Sequence, residues 1–112
     1  LQGLIKNQAL SEKGRIAAIC ASPGEVLGQL GVLKGERFTC YPSFESKVEG
    51  GIHVAAPVVV SGKFVTANGP ASATLWALEI VKEALGDSAA SDVASGMLLY
   101  PKSVQDAVNI FG

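Results

Sequence analysis

Arg15-Ile16-Ala17-Ala18-Ile19-Cys20-Ala21-Ser22-Pro23-Gly24-Glu25 is a strand signal that runs straight into a helix signal. The apolar run Ile16 to Ile19 predicts a short strand buried on both faces, where β-branched side chains fit well. The run stops at Cys20. Ser22 is then a natural N-cap, Pro23 suits the first helical position, and Glu25 completes an S-x-x-E capping box. Cys20 is thereby placed on a sharp strand-to-helix turn, with the first amides of a helix near its sulfur. Small neighbours, Ala18 and Ala21, let the backbone crowd there. This is the mechanical logic of a nucleophile elbow, with cysteine in place of the serine of G-x-S-x-G. The competing reading is a buried structural cysteine, a common fate for free thiols.

Upstream, Leu1–Glu12 reads as an amphipathic helix with Leu1, Leu4, Ile5, Gln8 and Ala9 on one face, closed by Lys13 and Gly14. It opens without a cap or a preceding strand, so an upstream segment is expected to be missing. Downstream, Val26, Leu27 and Leu30 mark the apolar face of the elbow helix, which Gly31 ends. Arg37–Cys40 is a short strand stopped by Tyr41-Pro42, and Ser43–Gly51 is a polar loop. His53–Val60 and Lys63–Thr66 are strands joined through Ser61-Gly62. Asn68-Gly69-Pro70 is a turn leading into helix Ala71–Leu85. That helix is apolar over most of its circumference and is expected to pack deeply against a sheet; Gly86 ends it. Ser88–Leu99 is a second helix, and Ser103 to Asp106 starts a short terminal one. Alternating strands and helices indicate an α/β sandwich with parallel strands where helices connect them.

With 112 residues the chain makes one domain, expected to bury roughly two-thirds of its unfolded surface. Hydrophobic residues are 48% and charged residues 17% of the chain, which marks a folded domain rather than a disordered segment. Nine basic and ten acidic residues are scattered along the sequence, so no phosphate-tracking patch exists and nucleic acid is excluded as a partner. No run reaches the ~18 apolar residues of a membrane helix. Two cysteines, Cys20 and Cys40, make no disulfide framework and point to free thiols in a reducing, cytoplasmic setting.

Ala17-Ala18-Ile19-Cys20-Ala21-Ser22-Pro23 resembles the cysteine elbow of the DJ/ThiJ/PfpI superfamily, which includes the Parkinson-associated protein deglycase family. Thr39-Cys40-Tyr41-Pro42-Ser43 and Thr66-Ala67-Asn68-Gly69-Pro70 agree with it in order and spacing. The resemblance implies a flavodoxin-like three-layer α/β sandwich, with residues 1–112 a single domain lacking its N-terminal part. It implies glutathione-independent handling of methylglyoxal or early glycation adducts on proteins, with an oxidation-sensitive Cys20 and no metal or organic cofactor. It also implies a homodimer. Carried over residue by residue, Cys20 is the nucleophile and the Ala21 amide an oxyanion donor. Ser22, Tyr41, Pro42, Asn68, Gly69 and Pro70 line the site. Two other readings stand beside this one. One is a non-enzymatic redox sensor or chaperone; the other is a Cys-dependent amidase or peptidase.

Two departures bear on the chemistry. Lowering a thiol pKa from ~8.5 to about 5.5 takes roughly 4 kcal/mol, whereas a helix N-terminus contributes about 2 kcal/mol at best. In the family an acidic side chain from the upstream part of the fold makes up the difference. Tyr41 stands where the family often has histidine, and a phenol is a poor general base near neutrality. Along an extended segment Cys40 and Tyr41 face opposite ways, so Cys40 reads as a buried small hydrophobe. His53, the sole histidine, has no His, Asp or Glu at metal-ligand spacing and reads as a surface residue.

Overall fold

A computed structural model of the chain describes residues 1–99. They fall into two compact units, Leu1–Ala77 and a second that begins at Leu78. The terminal helix expected from Ser103 lies outside the described residues.

The first unit opens with α1 (Gln2–Leu10), followed by β1 (Ile16–Ile19) and an elbow helix over residues 22–30 whose middle, Pro23–Gly28, is π-helical. Then come β2 (Arg37–Phe38), a single 3-10 turn at Glu45–Lys47, β3 (Ile52–His53), β4 (Val58–Ser61) and β5 (Phe64–Ala67). A 3-10 turn, Pro70–Ser72, runs into α2 (Ala73–Leu85), whose later turns lie in the second unit with α3 (Asp87–Gly96). One sheet has the order β1-β5-β4, with β1 parallel and β4 antiparallel to β5; β2 and β3 form a parallel pair. This is the mixed α/β arrangement expected of a flavodoxin-like sandwich. Among the described residues no helix is long and apolar enough to cross a membrane.

Several local expectations change in the structure. β1 buries only Ala18, and Ala17 is exposed; among the described residues β1 stands at one end of its sheet. It borders a hollow of about 300 Å³ lined by Ile5, Ile16, Val26 and Trp76 among others. The β4–β5 turn is Gly62-Lys63, one residue later than expected, with Gly62 at φ +56° in the first central position that type II′ turns give to glycine. The strand expected over His53–Val60 is broken between β3 and β4, since β3 pairs with β2 and β4 with β5. Helix α2, expected to be deeply buried, contains no fully buried residue.

Helix α1 ends at Leu10, before Lys13, and has no basic residue in its last turn. The cation that complements its C-terminal carbonyls comes instead from the β4–β5 turn. Lys63 Nζ donates to the carbonyls of Ala9 and, at 2.6 Å, Ser11. Gly14 is buried for lack of room rather than as a cap: a Cβ there would lie 2.6 Å from the Gln8 carbonyl oxygen. Of the expected apolar face only Ile5 and Ala9 pack against the core, while Leu1 and Leu4 are exposed.

The core gathers Ala18, Leu27, Leu33, Phe38, Cys40, Val48 and Phe64. Strand β2 joins the main sheet through side chains rather than a ladder. The Arg37 amide donates to Ser61 Oγ at 3.2 Å, and the Thr39 amide to Thr66 Oγ1 at 2.9 Å. Thr39 and Thr66 are almost wholly buried, so this second bond holds the chain just before Cys40 and Tyr41. Thr66→Val keeps the shape and leaves a buried amide without its acceptor. The expected cost is about 1–3 kcal/mol, read as a lower urea midpoint with an unchanged m-value; an unchanged midpoint would show that the bond contributes nothing.

Candidate functional site

Cys20 has φ +66°. For an L-residue other than glycine this left-handed backbone costs roughly 1–2 kcal/mol, and it persists where neighbours hold it. Here they do. The Cys20 amide donates to the Ala67 carbonyl at 2.9 Å, and the Cys20 carbonyl accepts the Tyr41 amide at 2.7 Å. Thus the ends of β1 and β5 and the segment after β2 meet at one residue. Open α/β sheets place their ligands at this carboxyl end of the parallel strands.

The capping box expected at Ser22 and Glu25 does not form. Ser22 is already in the right-handed helical region and makes no side-chain cap bond. The helix effectively starts one residue earlier, with the Ala21 carbonyl accepting the Gly24 and Glu25 amides at 3.1 and 2.8 Å. A residue inside the first turn cannot aim its hydroxyl back at the amides ahead of it. Glu25 instead pairs with Lys47 at 2.8 Å. Pro23 does stand at the helix start, and Gly31, at φ +73°, follows its end.

The elbow helix is positioned by close backbone approach. A Cβ on Gly24 would lie 2.5 Å from the Phe44 carbonyl oxygen, and one on Gly28 would lie 2.7 Å from that of Lys47. Only glycine at both positions lets segment 44–48 lie flat on the helix.

The candidate site residues divide between neighbouring surfaces. Cys20, which precedes Ala21, is bonded to Tyr41 and to Ala67, and Ala67 leads directly into Asn68-Gly69-Pro70. Tyr41 is 47% exposed and its ring stands edge-on to Phe44 at 6.4 Å; a Cβ on Gly69 would touch that ring at 3.8 Å. The Asn68 amide donates to the Pro57 carbonyl at 3.0 Å, and its Oδ1 accepts Ser72 Oγ at 2.6 Å. Pro42 and Asn68 border a cleft of about 270 Å³ on the Cys40 side. Ser22 borders the apolar hollow beside β1 instead.

Cys40 is 2% exposed, in keeping with the alternation that turns Tyr41 outward. Burial, with the Glu45 carboxylate as a second cause, pushes its thiol up to about 11. Sequence spacing separates Cys40, Glu45 and His53, yet the structure brings them together: their ligand atoms lie within 4.8 Å of one another. The parallel register that pairs Phe38 with His53 is responsible, a signal absent from any local motif. His53 also leans on the Phe38 ring, 5.6 Å between centroids.

Since Cys20 is partly exposed at the turn and Cys40 is buried, iodoacetamide should modify Cys20 first. Mass spectrometry of partially labelled native protein decides this, and earlier labelling at Cys40 would overturn the elbow assignment.

Comparison with known proteins gives the family of the chain. The DJ-1/PfpI family profile matches residues 1–83. Protein DJ-1 homolog B of Arabidopsis thaliana is 33% identical over 90% of the chain and 23% of its own length. A deglycase of Pyrococcus horikoshii is 36% identical over 70% of the chain and 48% of its own length. The solved structure of Toxoplasma gondii DJ-1, described as oxidized, superposes with TM-score 0.81 at 35% identity, covering 88% of the chain and 53% of the relative. The chain therefore spans about half the length of these relatives, or less.

Proposed function

We propose that this chain, which belongs to the DJ-1/PfpI family, carries the reactive cysteine of a glutathione-independent glyoxalase or deglycase acting on methylglyoxal or early glycation adducts. The supporting observation is Cys20 itself, held in a left-handed conformation between Ala67 and Tyr41. The similarity to a deglycase-named relative supports the same reading. In this reaction the Cys20 thiolate attacks the aldehyde carbon, forming a C–S bond, and the oxygen takes a proton to give a hemithioacetal. A base removes the proton on that carbon and the neighbouring carbon gains one, leaving a thioester of a 2-hydroxy acid. Water cleaves the thioester and frees the thiol. The sequence of steps is redox-neutral overall and needs no external oxidant or reductant.

The Ala21 amide is assigned to the developing oxyanion. Tyr41, with Gly69 against its ring, is assigned to the rim of the site and donates a hydrogen bond rather than acting as base. The test is loss of methylglyoxal without glutathione by the full-length protein, with lactate measured as product and a chelator present throughout. Formation of lactate supports the reading. No turnover by protein with a demonstrably free Cys20 thiol overturns it. The role of an oxidation sensor then takes precedence, a reading favoured by the partial exposure of Cys20 and by the oxidized state of the Toxoplasma gondii relative.

A further inference from the structure

We propose that Cys40, Glu45 and His53 form a binding site for a divalent, zinc-class cation, separate from the chemistry of Cys20. Their ligand atoms converge within 4.8 Å, and all three residues border the same cleft of about 270 Å³. A thiolate, an imidazole and a carboxylate together make a borderline donor set suited to zinc, with its metal–ligand distances of about 2.0–2.3 Å. In a tetrahedral site those distances put neighbouring ligand atoms roughly 3.3–3.7 Å apart. Closing the set therefore takes only small side-chain movements, which the exposed His53 and partly exposed Glu45 are free to make.

A second, independent observation points to a cation. Among the described residues, Glu45 Oε2 is buried without a hydrogen-bond partner. A buried carboxylate oxygen left unpaired is costly, and such an atom in a folded protein calls for a partner. A cation bound by Cys40 and His53 supplies one. Coordination takes the thiol as thiolate, with its proton released to water. Three protein ligands leave a fourth position toward the cleft, where water or a small ligand completes the tetrahedron.

The fold accounts for the convergence. Phe38 and Cys40 point to one side of their extended segment, and the register Phe38↔His53 sets the imidazole beside that side. Glu45 is delivered by the segment lying on Gly24 and Gly28 and tied by the Lys47–Glu25 ion pair. Metal binding would thus tie residues 40–53 together beside Tyr41, whose amide is bonded to the elbow.

Titration of the full-length, chelator-treated protein with Zn(II) against a chromophoric chelator, and with Co(II) by absorption, tests the site. One equivalent should bind, with a near-ultraviolet thiolate-to-cobalt band and visible bands of tetrahedral intensity. His53→Ala and Glu45→Gln should each weaken binding by at least about 100-fold, more than losing a supporting contact around a ligand would. His53 is exposed, so His53→Ala removes a ligand without disturbing the core. Cys20→Ala should leave both bands and affinity unchanged. Binding that survives His53→Ala and Glu45→Gln, a cobalt band lost in Cys20→Ala, or no stoichiometric binding would each overturn the proposal. The aldehyde assay contains chelator, so the two readings fail separately.

Discussion

Cys20→Ala and Cys20→Gly should both lower methylglyoxal consumption by at least about 10³-fold, the scale seen when a covalent nucleophile is removed, while their stabilities move apart. Alanine keeps a Cβ at φ +66° and so retains the strain. Glycine has no Cβ and occupies the left-handed region freely. Cys20→Gly should therefore unfold at a higher urea concentration than Cys20→Ala, by about 1 kcal/mol. The pair separates two causes of lost activity. If chemistry resides in the sulfur, both variants are inactive although one is the more stable. If activity instead follows stability, the elbow is merely structural. Full activity in Cys20→Ala would remove the enzyme reading altogether. Tyr41→Phe, which deletes only a hydroxyl, should cost far less than either, since Tyr41 meets the elbow through its backbone amide.

The second large effect concerns Gly24. Helix propensity alone says that Gly→Ala in a helix gains about 1 kcal/mol. In this fold the opposite sign is expected. The new methyl carbon would sit 2.5 Å from the Phe44 carbonyl oxygen, too close for any side-chain adjustment to relieve, because the obstacle is backbone. Segment 44–48 must lift, straining the Glu25–Lys47 pair and the packing of Val48. Overpacking of this kind costs about 1–3 kcal/mol, and chemical denaturation of Gly24→Ala should show a loss of that size. A second consequence follows from Glu45, which belongs to the lifted segment: Gly24→Ala should also weaken Co(II) binding. A stabilised Gly24→Ala protein would show that the helix and the segment do not pack as described.

Local signals carried much of the elbow. The β-branched ends of Ile16 to Ile19 mark the strand, and the proline at position 23 marks the helix start. Together they force a reversal at Cys20, and the structure resolves it by a left-handed residue. Gly31 and Gly86 stop their helices with positive φ for the same local reason. Ser22 shows the limit of such reading. Its side chain suits a cap, but the helix begins at Ala21 because Cys20 is pinned on both sides by Ala67 and Tyr41. Those bonds are long-range and leave no mark near residue 22.

By itself, then, the sequence determined the order of strands and helices except for the break between β3 and β4, together with the turn at Cys20, the scattered charge and the opposite facing of Cys40 and Tyr41. All of these follow from φ/ψ preference, side-chain alternation and composition within a few residues. Tertiary structure alone decided that Lys63 serves the end of α1, that Thr66 receives the Thr39 amide, and that Gly24 and Gly28 admit segment 44–48. It alone brought Cys40, Glu45 and His53 together. Each of these contacts depends on which strands pair and in what register, and pairing is settled by burial and hydrogen bonding between residues far apart in the chain.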